Sequence, residues 1–399
     1  MMTQTSLKAI FDNYASRKSI FKNKKAITIS YNPDELPHRE KEINTIASVL
    51  APSIRGEKPS NMFIYGKPGT GKTAVVSYVT KNLVEASKDK KIKIVYINCK
   101  MRKVADTEYR LLAQLAREFG EDVPATGLPT DHIYNMFFNA IDKTEQTIII
   151  VLDEIDVLVD KIGDGFLYNL TRVNEGLKNS QVRVVGISNN LSFTNEIDPR
   201  VKSSLSEEEI IFSPYNATQL QDILRRRINI VFNEGVIEEG VVEKCAALAA
   251  QEHGDARRAL DLLRVAAEIA EREGSEKVKE EHVDNAESKI DKDRILEAVK
   301  AQPRQSQAVL WSILKLKGEE VYTGDIYNVY EKVCAENGIK SLTQRRVSDL
   351  ISELDLLGII NAKVISKGRY GRTRIVKLNL QEQLINKIRE ILISQYYFQ

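Results

Sequence analysis

Two rhythms of apolar positions follow one another along the chain. Between Arg39 and about Pro214, short runs rich in isoleucine and valine are separated by longer amphipathic stretches: Met62 to Tyr65, Ile92 to Ile97, Ile148 to Leu152, Val182 to Ile187 and Ile210 to Phe212. None alternates strictly between apolar and polar, as expected of strands covered on both faces. The pattern therefore predicts an α/β domain with a parallel sheet between helices. From Asn216 to about Ile290 no strand signal remains. Apolar positions fall instead at helical spacing, as in Leu220, Ile223, Leu224, then Val242, Cys245, Ala246, Ala249, then Ala259, Leu262, Leu263, Ala266, which predicts a small helical domain. Pro303 and the charged stretch before it mark a further boundary. Beyond it, helices over Ser306 to Leu316, Thr323 to Asn337 and Thr343 to Leu357 precede strands over Ile360 to Ile365 and Arg374 to Leu378, the order of a winged helix-turn-helix. Before Tyr31 the chain is polar and basic (Arg17, Lys18, Lys22, Lys24, Lys25) and reads as an arm or an extended lead-in. The expected organisation is thus an arm over 1–30, an α/β domain over 31–215, a helical domain over 216–290 and a winged helix over 291–399.

Composition narrows the class. With 399 residues, 42% hydrophobic and 29% charged, the chain is an ordinary soluble globular protein of two or three domains. Its longest aliphatic run, Ile148 to Leu152, is too short to span a bilayer, and its N-terminus lacks the apolar segment of a secretory signal, so a cytoplasmic location without a membrane partner is expected. Cys99, Cys245 and Cys334 lack CxxC spacing and the four histidines are scattered, which points to reduced thiols and no structural metal. The net charge of +2 is unevenly spread: from Asp291 onward there is a surplus of about five positive charges, so the preceding part is net negative.

The sharpest chemical signal is Gly66-Lys67-Pro68-Gly69-Thr70-Gly71-Lys72-Thr73, a GxxxxGK[ST] sequence between a predicted strand and a predicted helix. The glycines Gly66, Gly69 and Gly71 let backbone N–H groups close around phosphate oxygens at a helix N-terminus, and Pro68 and Thr70 are expected in the same nucleotide-binding loop. Lys72 is expected to reach the β- and γ-phosphates and Thr73 to ligate Mg²⁺. Ile148 to Leu152 ends in Asp153 and Glu154 at the C-terminal edge of the sheet, where open α/β proteins bind ligands. There Asp153 suits holding Mg²⁺ through its water shell, and Glu154 suits deprotonating the attacking water. Asp156 reads as a helix cap. ATP, ADP and Mg²⁺ are the expected ligands.

GKPGTGKT, then IIIVLDEID, VVGISNN, IDPRVKSSL and GDARRALDLLR, in that order, resemble AAA+ ATPases of the initiator branch, and more narrowly an archaeal replication initiator of the origin-recognition and cell-division-control family. The resemblance runs from Leu36 into the C-terminal domain. It implies that the helical domain is a lid, that Asn189, or Asn190 beside it, senses the γ-phosphate, and that Arg200 is an arginine finger completing a neighbouring subunit's site. It further implies that Arg257 reaches from the lid to the phosphates while Arg258 is solvated, and that Leu36 to Glu40 packs on adenine through Pro37 and Arg39. Family members carry an extra helix after the second strand that touches the DNA minor groove; Met101 to Gly120, with Arg102, Lys103 and Arg110, occupies that position, although Leu111, Leu112 and Leu115 equally suit a core stripe.

In the winged helix, Val347, Leu350, Ile351 and Leu354 form an apolar stripe that leaves Gln344, Arg345, Arg346 and Ser348 exposed for reading bases. The ribbon carries Lys363, Lys367, Arg369, Arg372, Arg374 and Lys377 with no acid among them, and Tyr370 in the Gly368-Arg369-Tyr370-Gly371 tip, which suits phosphate and minor-groove contact. The resemblance thus implies an ATP-dependent replication initiator that binds origin double-stranded DNA and helps recruit the replicative helicase, with other initiator paralogues as partners and a nucleoid-associated location. Two other readings compete. A STAND-type signalling ATPase also pairs a P-loop with a winged helix, but its helical domain usually carries GxP where this chain has GDARRAL. A clamp-loader-like remodelling ATPase shares the early motifs and does not usually end in a winged helix.

Overall fold

The computed structural model of the chain describes residues 18–28, 31, 33, 35–87, 91–101, 105–124, 127–316, 321–366, 372–378 and 380–396. In chain order the α/β part runs α1 (Glu40–Leu50), β1 (Met62–Gly66), α2 (Lys72–Ala86), β2 (Ile92–Asn98), α3 (Glu108–Glu118), α4 (Thr130–Ile141), β3 (Thr147–Asp153), α5 (Ile155–Ile162), α6 (Gly165–Arg172), β4 (Gln181–Ser188), α7 (Pro199–Leu205) and β5 (Glu208–Phe212). The five predicted apolar runs are the five strands, all parallel, in the order β2-β3-β4-β1-β5.

Alternation along β3 explains where its acids go. Ile148, Ile150 and Leu152 bury into one core with α3 to α6, whereas Ile149 and Val151 bury into the other with α1 and α2. Asp153, two residues after Val151, therefore emerges on the α2 side, beside the phosphate loop. Both faces are apolar along the strand, which is why its sequence shows no polar alternation.

The helical part follows as α8 (Ala217–Val231), α9 (Val241–Gln251) and α10 (Ala256–Glu273). Asn216 and Gln219 form a capping box that starts α8, and Asp255 accepts from the amides of Arg257 and Arg258 to start α10. The predicted apolar positions are buried here except Ile223, which is half-buried. Of the basic arm, residues 18–28 lie on these helices: the amides of Lys22 and Asn23 donate to the Val231 carbonyl, and Phe21 stacks on Phe232 at 5.1 Å.

The chain divides into two compact units, Met1–Val283 and Asp284–Gln399, within α11 (Glu280–Ala301). The second unit continues with α12 (Arg304–Lys315), β6 (Val321–Tyr322), α13 (Thr323–Glu336), α14 (Gln344–Leu356), β7 (Asn361–Ser366), β8 (Arg372–Lys377) and α15 (Glu382–Tyr396). It is a winged helix with an antiparallel sheet ordered β6-β8-β7. Val347, Leu350, Ile351 and Leu354 turn into its core. The two-residue β6 and the closing α15, whose Leu384, Ile388 and Leu392 complete that core, were not read from the sequence. No helix among the described residues is long and apolar enough to cross a membrane. The three cysteines are free and buried.

Candidate functional site

A cavity of about 740 Å³ opens in the first unit at the C-terminal end of the sheet. Its phosphate end is built by the turn from β1 into α2. Gly69 and Gly71 sit at φ +72° and +91°, conformations that side chains with a Cβ rarely adopt, and line the cavity with Lys72 and Thr73. A Cβ on Gly69 would fall 1.6 Å from Oδ1 of Asp255. Gly66, Pro68 and Thr70, expected beside the phosphates, are not among the lining residues. Thr70 is fully buried and its hydroxyl donates to the Lys67 carbonyl, so these positions shape the loop from behind.

Lys72 is 5% exposed, and its Nζ donates to the carbonyls of Gly66 (2.7 Å) and Lys67 (2.9 Å) and to Oδ1 of Asn189 (2.9 Å). Burial lowers its pKa to about 8, with the Arg257 charge adding to the effect and Asp153, Asp156 and Asp255 opposing it. Thr73 donates to Oδ2 of Asp153 at 2.9 Å, and Oδ1 of Asp153 accepts from the Glu154 amide at 3.0 Å. A hydroxyl beside a buried carboxylate is a hard-oxygen donor set that fits Mg²⁺. Glu154 holds a left-handed backbone (φ 57°, ψ 49°) at the β3–α5 turn, and its carboxylate lies 3.6 Å from Lys100 Nζ. A non-glycine residue there costs about 1–2 kcal/mol, so neighbouring structure holds this carboxylate at the cavity wall.

The structure separates the two candidate sensors of β4. Asn189 lines the cavity and meets Lys72; Asn190 accepts from Ser192 and turns into its own loop. Asp156, expected as a cap, instead accepts from the Ser188 hydroxyl at 2.9 Å.

The lid closes the far side. Arg257 lines the cavity, while Arg258 pairs with Glu252 at 2.9 Å. The amide of Ala256 donates to the Gly69 carbonyl, and the Tyr215 amide to the Gly254 carbonyl, each at 3.2 Å, so the start of α10 is stitched to the phosphate loop and to the β5–α8 linker. At the other end of the cavity stand Thr28, Tyr31, Pro33, Leu36, Pro37, Ile223, Ile230 and Leu260. Arg39 departs from expectation. It is 4% exposed, is not a lining residue, and donates to the carbonyls of Thr70 and Ser213, to Tyr215 Oη and to Glu42. With every nitrogen of its guanidinium bonded to these acceptors, Arg39 braces the phosphate loop against the hinge.

Arg200 lies outside its own cavity. Its side chain is 70% exposed, holds Asp198 through two bonds of 3.1 and 2.8 Å, and stands 5.1 Å from the Tyr168 ring centre. That pairing lowers the Asp198 pKa to about 2.

The predicted DNA-facing elements fare unevenly. The helix expected over Met101 to Gly120 starts only at Glu108, with the Thr107 hydroxyl oxygen capping it, and Leu111, Leu112 and Leu115 are fully buried, so that stripe belongs to the core. Arg102 and Lys103, and in the wing Lys367, Arg369 and Tyr370, lie outside the described residues. Gln344, Arg345 and Arg346 are exposed at the start of α14, with Arg346 at 3.5 Å from Glu353. Arg372 opens β8. Arg374 donates to the Ser348 carbonyl at 2.7 Å and to the Ser352 hydroxyl, and so ties the ribbon to α14.

Comparison with known proteins follows this layout. Residues 35–179 match the AAA ATPase domain family, 221–288 the Cdc6 AAA+ ATPase-type lid domain and 297–388 the CDC6 C-terminal winged helix domain. ORC1-type DNA replication protein 1 of Methanosarcina mazei is 53% identical over 99% of this chain and 96% of its own length. The chain belongs to the ORC1-type DNA replication proteins. The Archaeoglobus fulgidus member is 52% identical over 96% of this chain and 93% of its own. Among solved structures, the Aeropyrum pernix ORC1 protein in complex with DNA shares 44% identity, covers 96% of this chain and 98% of its own, and superposes with a TM-score of 0.83. Cdc6p of Pyrobaculum aerophilum, at 22% identity and a TM-score of 0.59 over 95% of this chain and 100% of its own, shares the fold.

This ORC1-type chain is thus a replication initiator with an AAA ATPase domain. Sequence reasoning passed over several cavity residues: Tyr96 and Asn98 on β2, Tyr215 in the hinge, and Ile223, Arg226 and Arg227 on α8. Tyr96 and Asn98 carried a signal, because they alternate at the end of a strand adjoining the one that ends in Asp153.

Proposed function

We propose that this chain binds ATP with Mg²⁺ in the cavity, hydrolyses it slowly, and uses the nucleotide state to govern its grip on origin double-stranded DNA. The carrying observation is that Lys72, Thr73, Asp153, Glu154 and Asn189 of the α/β domain and Arg257 of the lid converge on one cavity. A γ-phosphate there joins groups from two domains, so its loss removes a tie between them and shifts the lid.

Each residue has its own part. Lys72 meets the phosphates, Thr73 and Asp153 hold Mg²⁺, Glu154 takes the proton of the attacking water, and Asn189 and Arg257 read the γ-phosphate. The metal, when bound, neutralises phosphate charge. Arg200, outside its own cavity, serves a neighbouring subunit. Pro37 packs on adenine. Gln344, Arg345 and Arg346 read bases, while the ribbon residues Lys367, Arg369, Tyr370, Arg372 and Arg374 follow the backbone, with Arg102 and Lys103 as a second contact. The exposed α14 start and the basic surplus of the C-terminal part support this, as does the DNA complex of the Aeropyrum pernix relative. Recruitment of the replicative helicase, cooperation with initiator paralogues and a cytoplasmic, nucleoid-associated location complete the reading, as does the division into 1–30, 31–215, 216–290 and 291–399.

Fluorescence-anisotropy titration with candidate origin and scrambled duplexes, with ADP and with an ATP analogue, tests it. A specificity ratio of about 10³ or more that changes with nucleotide is expected. Equal, steeply salt-dependent binding to every duplex in both states refutes it.

A further inference from the structure

Asp153 is 5% exposed, and among the described residues the three hydrogen bonds to its carboxylate come from neutral donors. Two belong to the phosphate-site layout: the Thr73 hydroxyl on Oδ2 and the Glu154 amide on Oδ1. The third is the phenol of Tyr96, which donates to the same Oδ2 as Thr73. β2 is an edge strand in register with β3, Asn98 opposite Asp153 and Tyr96 opposite Val151. Val95 and Ile97 bury into the α3 side of the sheet, so Tyr96 and Asn98 face the α2 side and both line the cavity. Tyr96 is 42% exposed, more than an aromatic ring placed for packing, yet its hydroxyl turns inward onto a buried carboxylate.

We propose that Tyr96 is a positioning residue for Mg²⁺: by fixing Oδ2 of Asp153 from the β2 side it holds the carboxylate in the orientation the metal's water shell requires. Thr73 has two duties at once, since a lone pair of its oxygen can ligate the metal while its O–H still donates to Asp153. The Glu154 amide anchors Oδ1, and the Tyr96 phenol is the donor on Oδ2 that is not itself a metal ligand, so it keeps the carboxylate from rotating. Outer partners of this kind commonly set metal affinity by tenfold or more. The inference rests on the reading of Thr73 and Asp153 as the metal site.

Tyr96→Phe keeps the ring and removes the donor. Affinity of the full-length protein for a fluorescent ADP analogue, measured in EDTA and across a Mg²⁺ titration, separates nucleotide contact from metal contact. Binding of Mn²⁺ to the protein–ADP complex by electron paramagnetic resonance reads the metal directly, without turnover. The expected result is unchanged affinity in EDTA with Mg²⁺ and Mn²⁺ half-saturation weakened about tenfold. Thermal melting in EDTA, expected to match wild type, excludes a folding defect, and Asp153→Asn serves as the reference for a lost metal site. If Asp153→Asn loses metal dependence while Tyr96→Phe retains it in full, the Tyr96 role is overturned and the metal reading stands. If neither variant changes metal dependence, the metal reading fails and takes this inference with it. Equal weakening of Tyr96→Phe with and without metal also overturns the proposal, because the ring is then a wall of the nucleotide cavity.

Discussion

Raising the pH from 7 to 9 carries Lys72 through its lowered pKa of about 8, and nucleotide affinity should fall with it. The sign follows from burial. A 5% exposed ammonium surrounded by carbonyls is poorly solvated, so the free protein gives up the proton early. A bound phosphate is an anion in contact with Nζ and returns the group to its charged form. Binding therefore takes up a proton wherever the free site has lost it. With a free-site pKa of about 8, the charged fraction drops from about 0.9 at pH 7 to about 0.1 at pH 9, so ADP affinity falls about tenfold, or about 1.4 kcal/mol. The nucleotide's terminal phosphate titrates near pH 6 and adds little over this range. Isothermal titration calorimetry with ADP at pH 8.5, in two buffers of different ionisation enthalpy, should give uptake of about 0.75 proton per site. Folding behaves the opposite way. Because the unfolded lysine holds its proton up to about 10.5 while the folded one loses it near 8, the unfolded chain binds more protons between these values, and stability from this group rises as pH climbs from about 8 towards 10.5. Flat affinity from pH 7 to 9 with no proton uptake at pH 8.5 would mean that Lys72 is charged in the free protein, and the reasoning from burial would be refuted.

Replacing Arg39 with methionine keeps most of the buried stem but strips the carbonyls of Thr70 and Ser213 and leaves Glu42 without its cation; a loss of about 3–5 kcal/mol in denaturant unfolding is expected, and a loss below about 1 kcal/mol would show that Arg39 is not the brace of this hinge. In the wing, Arg369→Ala combined with Arg372→Ala should weaken duplex binding and flatten the plot of log affinity against log salt by about 1–2, at roughly 0.9 for each phosphate no longer neutralised; an unchanged slope removes the ribbon from the interface.

What could be read from the sequence divides by range. The phosphate loop is eight consecutive residues whose geometry is local, and Asp153 follows from counting along a buried strand, so both were legible. Arg39 was not, because its acceptors at Thr70, Ser213 and Tyr215 are 31 to 176 positions away and a helix start with the same sequence looks identical without them. The stripe Leu111, Leu112, Leu115 told of burial, but no periodicity says where a helix begins when the Thr107 hydroxyl supplies the cap. Asn189 and Asn190 are interchangeable as letters; only the turn after β4 aims one at Lys72 and the other at Ser192. The two-residue β6 is too short to leave a pattern, and α15 is amphipathic against a core that the preceding residues did not reveal.

The stitching of the lid to the phosphate loop has a consequence for how this protein can change over generations. Two backbone bonds, Ala256 to Gly69 and Tyr215 to Gly254, join turns far apart in the chain, and Gly254, at φ +70°, would bring a Cβ within 2.3 Å of the Tyr215 carbonyl. Backbone bonds do not depend on side-chain identity but do depend on length. One residue inserted or deleted at 253–256 would slide the register and undo both joints at once, and one at 213–216 would undo the Tyr215 joint, whereas a side chain there that makes no bond of its own can drift. Divergence among relatives should therefore appear at these turns as substitution, and changes in loop length should collect elsewhere.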